Sequence, residues 1–256
     1  MTPFEQICFG LEKSSKPDSE RLQELFRVEW EYTMKEYPEF ATQVGHPGLN
    51  NRWTDLSTEA VARRKREVQA PLKALLSIKR DNLAREEQLS YDLFRHNYEM
   101  AIEEARFPSE CLRITHIEGV QQSLFQILDA MPKFTVRDSQ DFVARLNSFG
   151  VLVDQTTALL EKGLASGVTT PKIALGYVLQ QIDNLLAPGV EENPVLKLIN
   201  DFPSSLPEND IKELRQAAAE ALRNNALPAV RRLRAFMAGN YMPNARETIA
   251  MKDLPD

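Results

Sequence analysis

Residues 135–163 read TVRDSQDFVARLNSFGVLVDQTTALLEKG, and this stretch decides the fold. Thr135 and Asp138 stand three apart, the spacing at which a side-chain hydroxyl and a carboxylate cap each other's backbone at a helix start. Phe142, Leu146, Phe149, Val153, Thr156, Leu159 and Leu160 then recur in steps of three and four, the period of one helix face. Val151-Leu152-Val153 alone would suit a strand, but the longer helical period outweighs three residues. Gly163 is expected at C′, where glycine takes the left-handed conformation at least cost.

The same pattern continues on both sides. After Pro17, Asp18 or Ser19 is expected to cap a helix carrying Leu22, Leu25, Phe26, Trp30 and Met34. Tyr37-Pro38 ends it, because a residue before proline avoids the helical region. A loop through Gly45-His46-Pro47-Gly48 follows, and Ser57 caps the next helix, in which Pro71 predicts a kink or break. From about Arg85 to Arg106 the inner face is read as Leu89, Phe94, Tyr98, Ala101 and Ile102. A further segment near Ile117 to Met131 gathers Val120, Leu124, Ile127 and Leu128. Thr170-Pro171 and Asn193-Pro194 pair a cap with a proline at the first helical position. Pro207 opens a last long segment, which Pro228 is expected to divide. The expectation is an all-α chain: one multi-helix domain of about eight to ten helices over residues 1–256, with a less regular end at 242–256.

Composition agrees with helix. Only 10 of 256 residues are glycine, and Leu, Ala, Glu, Gln and Arg dominate. A chain of this length buries about 70–75% of its unfolded surface, enough to fold without a metal or disulfide. The net charge of −6 argues against general nucleic-acid binding, which rests on excess Lys and Arg. The basic runs Arg63–Arg66 and Arg231-Arg232 with Arg234 lie at helical spacing and read as helix faces. No run of 18 apolar residues occurs, so no membrane partner is expected. The start has no basic and apolar leader pattern, and the two cysteines, Cys8 and Cys111, form no disulfide framework; a cytoplasmic setting is expected.

No catalytic or metal-ligating set emerges. A zincin helix needs His-Glu-x-x-His, so that two imidazoles one turn apart share the metal and the glutamate works on its water. Here His46, His96 and His116 are followed by Pro47, Asn97 and Ile117. Glu-x-x-His, glycine-rich phosphate loops and nucleophile elbows are also absent. Cys111 and His116 are five apart and do not share a helix face. Adjacent acidic pairs such as Glu103-Glu104 point to different sides of a helix. The one irregular polar segment is Asn240 through Arg246. Its Tyr241 and Arg246 are residue types that hold a loop by hydrogen bonds or grip a ligand carboxylate, and they are the candidate ligand-binding residues.

Several short runs carry a resemblance. They are Tyr37-Pro38 with Ala41-Thr42 and Gly45, Trp53 through Ser57, Gln88 through Asp92, and Arg145-Leu146. Gly163 through Gly167 to Pro171-Lys172, Pro228-Ala229, and Tyr241-Met242-Pro243 with Ala245-Arg246 follow. In order and spacing they resemble the N-terminal half of a bacterial family known as domain-of-unknown-function family 885. Its members are about twice this length and resemble gluzincin-type zinc metallopeptidases, with a His-Glu-x-x-Pro-Gly-His-His motif in the C-terminal half.

The resemblance implies a fold like the N-terminal helical wall of a gluzincin-type peptidase. It implies a non-catalytic half that forms part of a substrate cleft, either a truncated product or a fragment. Zinc and hydrolase activity would belong to full-length relatives, with no cofactor in this chain. The partner would be a C-terminal catalytic half or a peptide. The alternative is an independent helical module that binds a peptide or protein.

Overall fold

The computed structural model describes residues 1–202 and 207–255, and every regular element among them is helical. The α-helices of the first part are α1 (Pro3–Glu12), α2 (Asp18–Glu36), α3 (Pro38–Gln43), α4 (Thr58–Glu67), α5 (Gln69–Leu76) and α6 (Arg85–Glu104). After them come α7 (Val120–Ala130), α8 (Val136–Ser166), α9 (Lys172–Leu175), α10 (Val178–Leu186) and α11 (Pro194–Lys197). The last are α12 (Glu208–Ala221), α13 (Leu227–Phe236) and α14 (Met242–Asn244). Packing divides the chain into two compact units, Met1–Glu36 with Ser57–Ser109, and Tyr37–Leu56 with Glu110–Asp256.

In the first unit, Thr2 and Glu5 close a capping box that starts α1. Phe4, Cys8 and Leu11 of α1 pack with Leu22, Leu25 and Val28 of α2 and with Ala74, Leu75, Ile78, Leu83 and Tyr91. The chain breaks at Val68, ahead of Pro71, so α4 and α5 are separate helices. Two expected face residues lie elsewhere. Trp30 of α2 is 43% exposed and Leu89 of α6 is 62% exposed, while Tyr91 is the buried residue of α6.

The second unit is built on α8, whose 31 residues bury Phe142, Leu146, Phe149, Leu152, Val153, Thr156, Leu159 and Leu160. The Thr135–Asp138 capping box forms as read. The helix ends later than expected, at Gly167, which has φ +77°. Gly163 is instead interior: a Cβ there would lie 2.5 Å from the Val168 carbonyl and 3.0 Å from the Cys111 Cβ. Glycine here permits close approach of two backbones.

Pro228 does not divide the last segment. Leu222–Ala226 forms a π turn, and the Leu227 N–H bonds the carbonyl of Leu222, five residues back. Met237–Tyr241 repeats the arrangement ahead of Pro243, with the Met242 N–H on the Met237 carbonyl. A proline ring collides with the carbonyl four residues earlier in an α-helix. The wider π turn accommodates the residue and lets the helix continue. Beyond Asn244 only a short turn at Met251–Asp253 is regular, and Asp256 lies outside the described residues.

Candidate functional site

Tyr241 and Arg246 meet on one segment, the connection from α8 to α9. Tyr241 ends the second π turn and is fully buried. Its Oη accepts the Thr170 N–H at 3.0 Å. Burial holds its phenol above the usual tyrosine range, against the lowering effect of that hydrogen bond. Arg246 donates its own N–H to Thr169 Oγ1 at 2.9 Å and its Nε to the Thr169 carbonyl at 2.8 Å. Its Nη1 reaches the Ala250 carbonyl at 2.8 Å, and its carbonyl accepts the Lys172 N–H at 2.9 Å. Thr169 and Thr170 are buried, so the Tyr241 Oη and Arg246 Nε bonds satisfy main-chain groups shielded from water. Arg246 itself is half-buried.

A second knot centres on Arg145 of α8, a charge on the helix face that sequence periodicity assigns to the core. It has no exposed surface. Its Nε donates to the Arg52 carbonyl at 2.8 Å and its Nη1 to Thr42 Oγ1 at 2.8 Å. Its Nη2 reaches the carbonyls of Pro38 and Leu49 at 3.3 and 3.4 Å. The guanidinium lies 5.1 Å from the Trp53 ring, and Trp53 Nε1 donates to the Arg145 carbonyl at 2.8 Å. Burial lowers the guanidinium pKa to about 10, with Glu39 and Asp141 acting the other way. It stays protonated at neutral pH, and its planar fork ties α3 to the loop that follows it. Glu39 adds a further tie, accepting the Thr54 N–H at 3.1 Å and its hydroxyl at 2.5 Å. The sequence marks Arg145-Leu146 and the Tyr37 and Trp53 runs only as separate parts of the family resemblance, with no local signal that they meet.

The first unit holds a carboxylate network in which Glu67 is buried and Glu36 half-buried. Glu67 is 2% exposed and accepts from Tyr32 Oη at 2.6 Å and Arg63 Nη1 at 2.8 Å. Arg63 and Arg64 both reach Glu36, at 2.6 and 3.1 Å. Part of the basic run on α4 is therefore an internal ion-pair network. Nearby, burial pushes the Cys8 thiol up to about 12, reinforced by Glu5 and Glu67. A thiol so held is no nucleophile at neutral pH. Neither Cys8 nor Cys111 forms a disulfide.

One groove opens between α8 and α12, with a volume of about 380 Å³. Val143, Ala144, Leu214 and Ala217 line it with apolar surface. Asp210 and Glu213 lie on the α12 side, and Gln140 and Asn147 on the α8 side. The sequence signal was two polar positions one turn apart on α12 and two turns apart on α8, too common to single out.

Zinc, which the family resemblance implies for longer relatives, does not fit the residues here. Among the described residues no group of three His, Cys, Asp or Glu side chains could hold a metal ion. His46 Nδ1 lies 3.1 Å from the Pro47 carbonyl, and His116 Nδ1 lies 3.0 Å from that of Ala174. Among the described residues no helix is long and apolar enough to cross a membrane.

A family model described as "Bacterial protein of unknown function (DUF885)" matches residues 38–256. No curated protein matches the chain. A solved structure described as "the putative lipoprotein from Colwellia psychrerythraea" superposes with a TM-score of 0.79 at 14% identity. The match covers 94% of this chain and 44% of that one, so this chain spans less than half the length of that structure. At that identity the likeness speaks for the fold alone.

Proposed function

The chain belongs to the bacterial DUF885 family of unknown function, and from that premise we propose that it is a non-catalytic helical half of a zinc metallopeptidase-like protein. It would form part of a substrate cleft, with zinc and its chemistry supplied by another part of the longer architecture. The observation that carries this reading is the length relation: nearly all of this fold recurs within less than half of a larger structure.

The outer face of α6 adds support. Leu89, Leu93, His96 and Met100 step by four, three and four, which places them on one stripe. The three apolar members are 62%, 56% and 55% exposed, opposite the inner Tyr91, Phe94 and Tyr98. A helix apolar on two faces suits a position between two layers rather than at a water surface. Within this reading, Arg246 is the half-exposed group that would meet a ligand carboxylate, with buried Tyr241 fixing the loop beneath it. The cytoplasmic setting remains a proposal that rests on two unbridged cysteines.

Metal analysis of the purified 256-residue chain tests the reading. The expected result is no stoichiometric zinc and no peptide hydrolysis; one tightly bound zinc with cleavage overturns it. Coding sequence for His-Glu-x-x-Pro-Gly-His-His downstream of codon 256 would support the missing half directly. The second reading, an independent peptide-binding module, is favoured by the groove between α8 and α12.

A further inference from the structure

We propose that the α8–α12 groove binds a peptide segment through a lysine or arginine side chain. The inference deepens the peptide-binding reading and rests on it.

Two helices build the groove with unlike walls. On α8, Val136, Gln140, Val143, Ala144 and Asn147 recur at three- and four-residue steps and share one face. On α12, Asp210, Glu213, Leu214 and Ala217 do the same. Leu214 is 5% exposed and forms the floor, with Val143, Ala144 and Ala217 half-buried around it. The two carboxylates form the rim on one side, and neither is ion-paired among the described residues. Asp210 sits in the first turn of α12, where the helix dipole alone accounts for an acid. Glu213 lies beyond that turn, so the dipole does not explain it.

An apolar floor beneath an anionic rim matches one kind of side chain. Lysine and arginine carry an aliphatic stem that lies along apolar surface and a charged head that stays at the water boundary. The stem would cover Leu214 and Ala217, and the head would stand between Asp210 and Glu213. The opposite wall offers Gln140, with an exposed amide, and Asn147, whose Oδ1 already accepts from Asn225 at 2.8 Å. An amide with both donor and acceptor suits a peptide backbone. The volume of about 380 Å³ exceeds one long side chain and leaves room for flanking backbone.

The probe is a fluorescein-labelled pentapeptide, Leu-Arg-Leu-Arg-Leu, with Leu-Glu-Leu-Glu-Leu as its counterpart, both followed by anisotropy on the full chain. The arginine peptide should bind at least about tenfold more tightly than the glutamate peptide, and less so at high salt. The double variant Asp210→Asn/Glu213→Gln keeps side-chain shape and should weaken arginine-peptide binding about tenfold. Ala217→Phe fills the floor and should weaken it with both charges intact. Helical circular dichroism confirms that each variant folds. Equal binding of the two peptides, undiminished binding by the double variant, or no binding of the arginine peptide overturns the proposal. None of these readouts involves zinc or cleavage, so they stand or fall apart from the half-enzyme reading.

Discussion

Placing alanine at two glycines of α8 should move stability in opposite directions. Both Gly150 and Gly163 are interior to the helix, so each substitution gains intrinsic helix propensity of about 1 kcal/mol. At Gly150 the new methyl meets the Ala229 Cβ at 3.8 Å and the Asn225 carbonyl at 3.9 Å, ordinary contact distances. At Gly163 it would sit 2.5 Å from the Val168 carbonyl, when carbon and carbonyl oxygen approach comfortably at about 3.3–3.6 Å. Backbone must therefore move by roughly 1 Å. That carbonyl cannot move alone, because the Val168 N–H bonds the Gly163 carbonyl at 2.9 Å and Thr169 and Thr170 are held by Arg246 and Tyr241. Overpacking of this kind costs about 1–3 kcal/mol, and more where backbone is pinned. Strain outweighs propensity, leaving Gly163→Ala destabilised by about 1–2 kcal/mol. At about 2–4 °C per kcal/mol for a chain of this size, thermal unfolding followed by circular dichroism should fall by several degrees. Gly150→Ala should rise by about 2–4 °C. If both variants gained stability, the close approach at Gly163 would be wrong and its glycine incidental.

Three further outcomes are expected. Arg145→Met removes the donor shared by the Arg52, Leu49 and Pro38 carbonyls; Leu49 and Pro38 keep other partners, so Arg52 is the one orphaned and amide exchange should accelerate across residues 38–53 more than elsewhere. Tyr241→Phe leaves the buried Thr170 N–H without its acceptor and should cost about 1–3 kcal/mol, read from the urea midpoint. Cys8 has a folded pKa raised to about 12 from 9.0, so its contribution is fully present below pH 9 and is lost as pH rises toward 12. Cys8→Ala should flatten the fall in stability between pH 8 and 10, and an unchanged slope would contradict a buried neutral thiol.

The helices were legible because period and caps are local. Thr135 with Asp138, Ser57 with the Ala60 N–H, and Asn193 with the Val195 N–H each announce a helix start within three residues. What was not legible depends on what packs across a face. Gly163 reads as a helix end because local sequence cannot show Val168 folding back on it. Leu89 reads as an inner residue by period, while the structure buries Tyr91 and leaves the outer stripe bare. Pro228 reads as a break because the compensating π turn has no sequence signature of its own. Tyr241 and Arg246 were legible as loop-holding types, but their partner loop at 169–172 was not, since some seventy residues separate them.

Many of the residues that carry the family resemblance, though not the 88–92 and Pro228-Ala229 runs, converge on the two knots described. Pro38, Thr42 and Trp53 meet Arg145, and Gly163, the 168–172 connection, Tyr241 and Arg246 meet one another. Both knots do the same physical job, supplying donors and acceptors to backbone that leaves regular structure inside the protein, where water cannot. Such residues specify where loops run, so a resemblance resting on them speaks for architecture. Chemistry must then be sought on surfaces the resemblance does not mark, of which the acid-rimmed groove of α8 and α12 is one. A likeness of fold at 14% identity therefore carries no activity with it, because function lives in sites grafted on the fold.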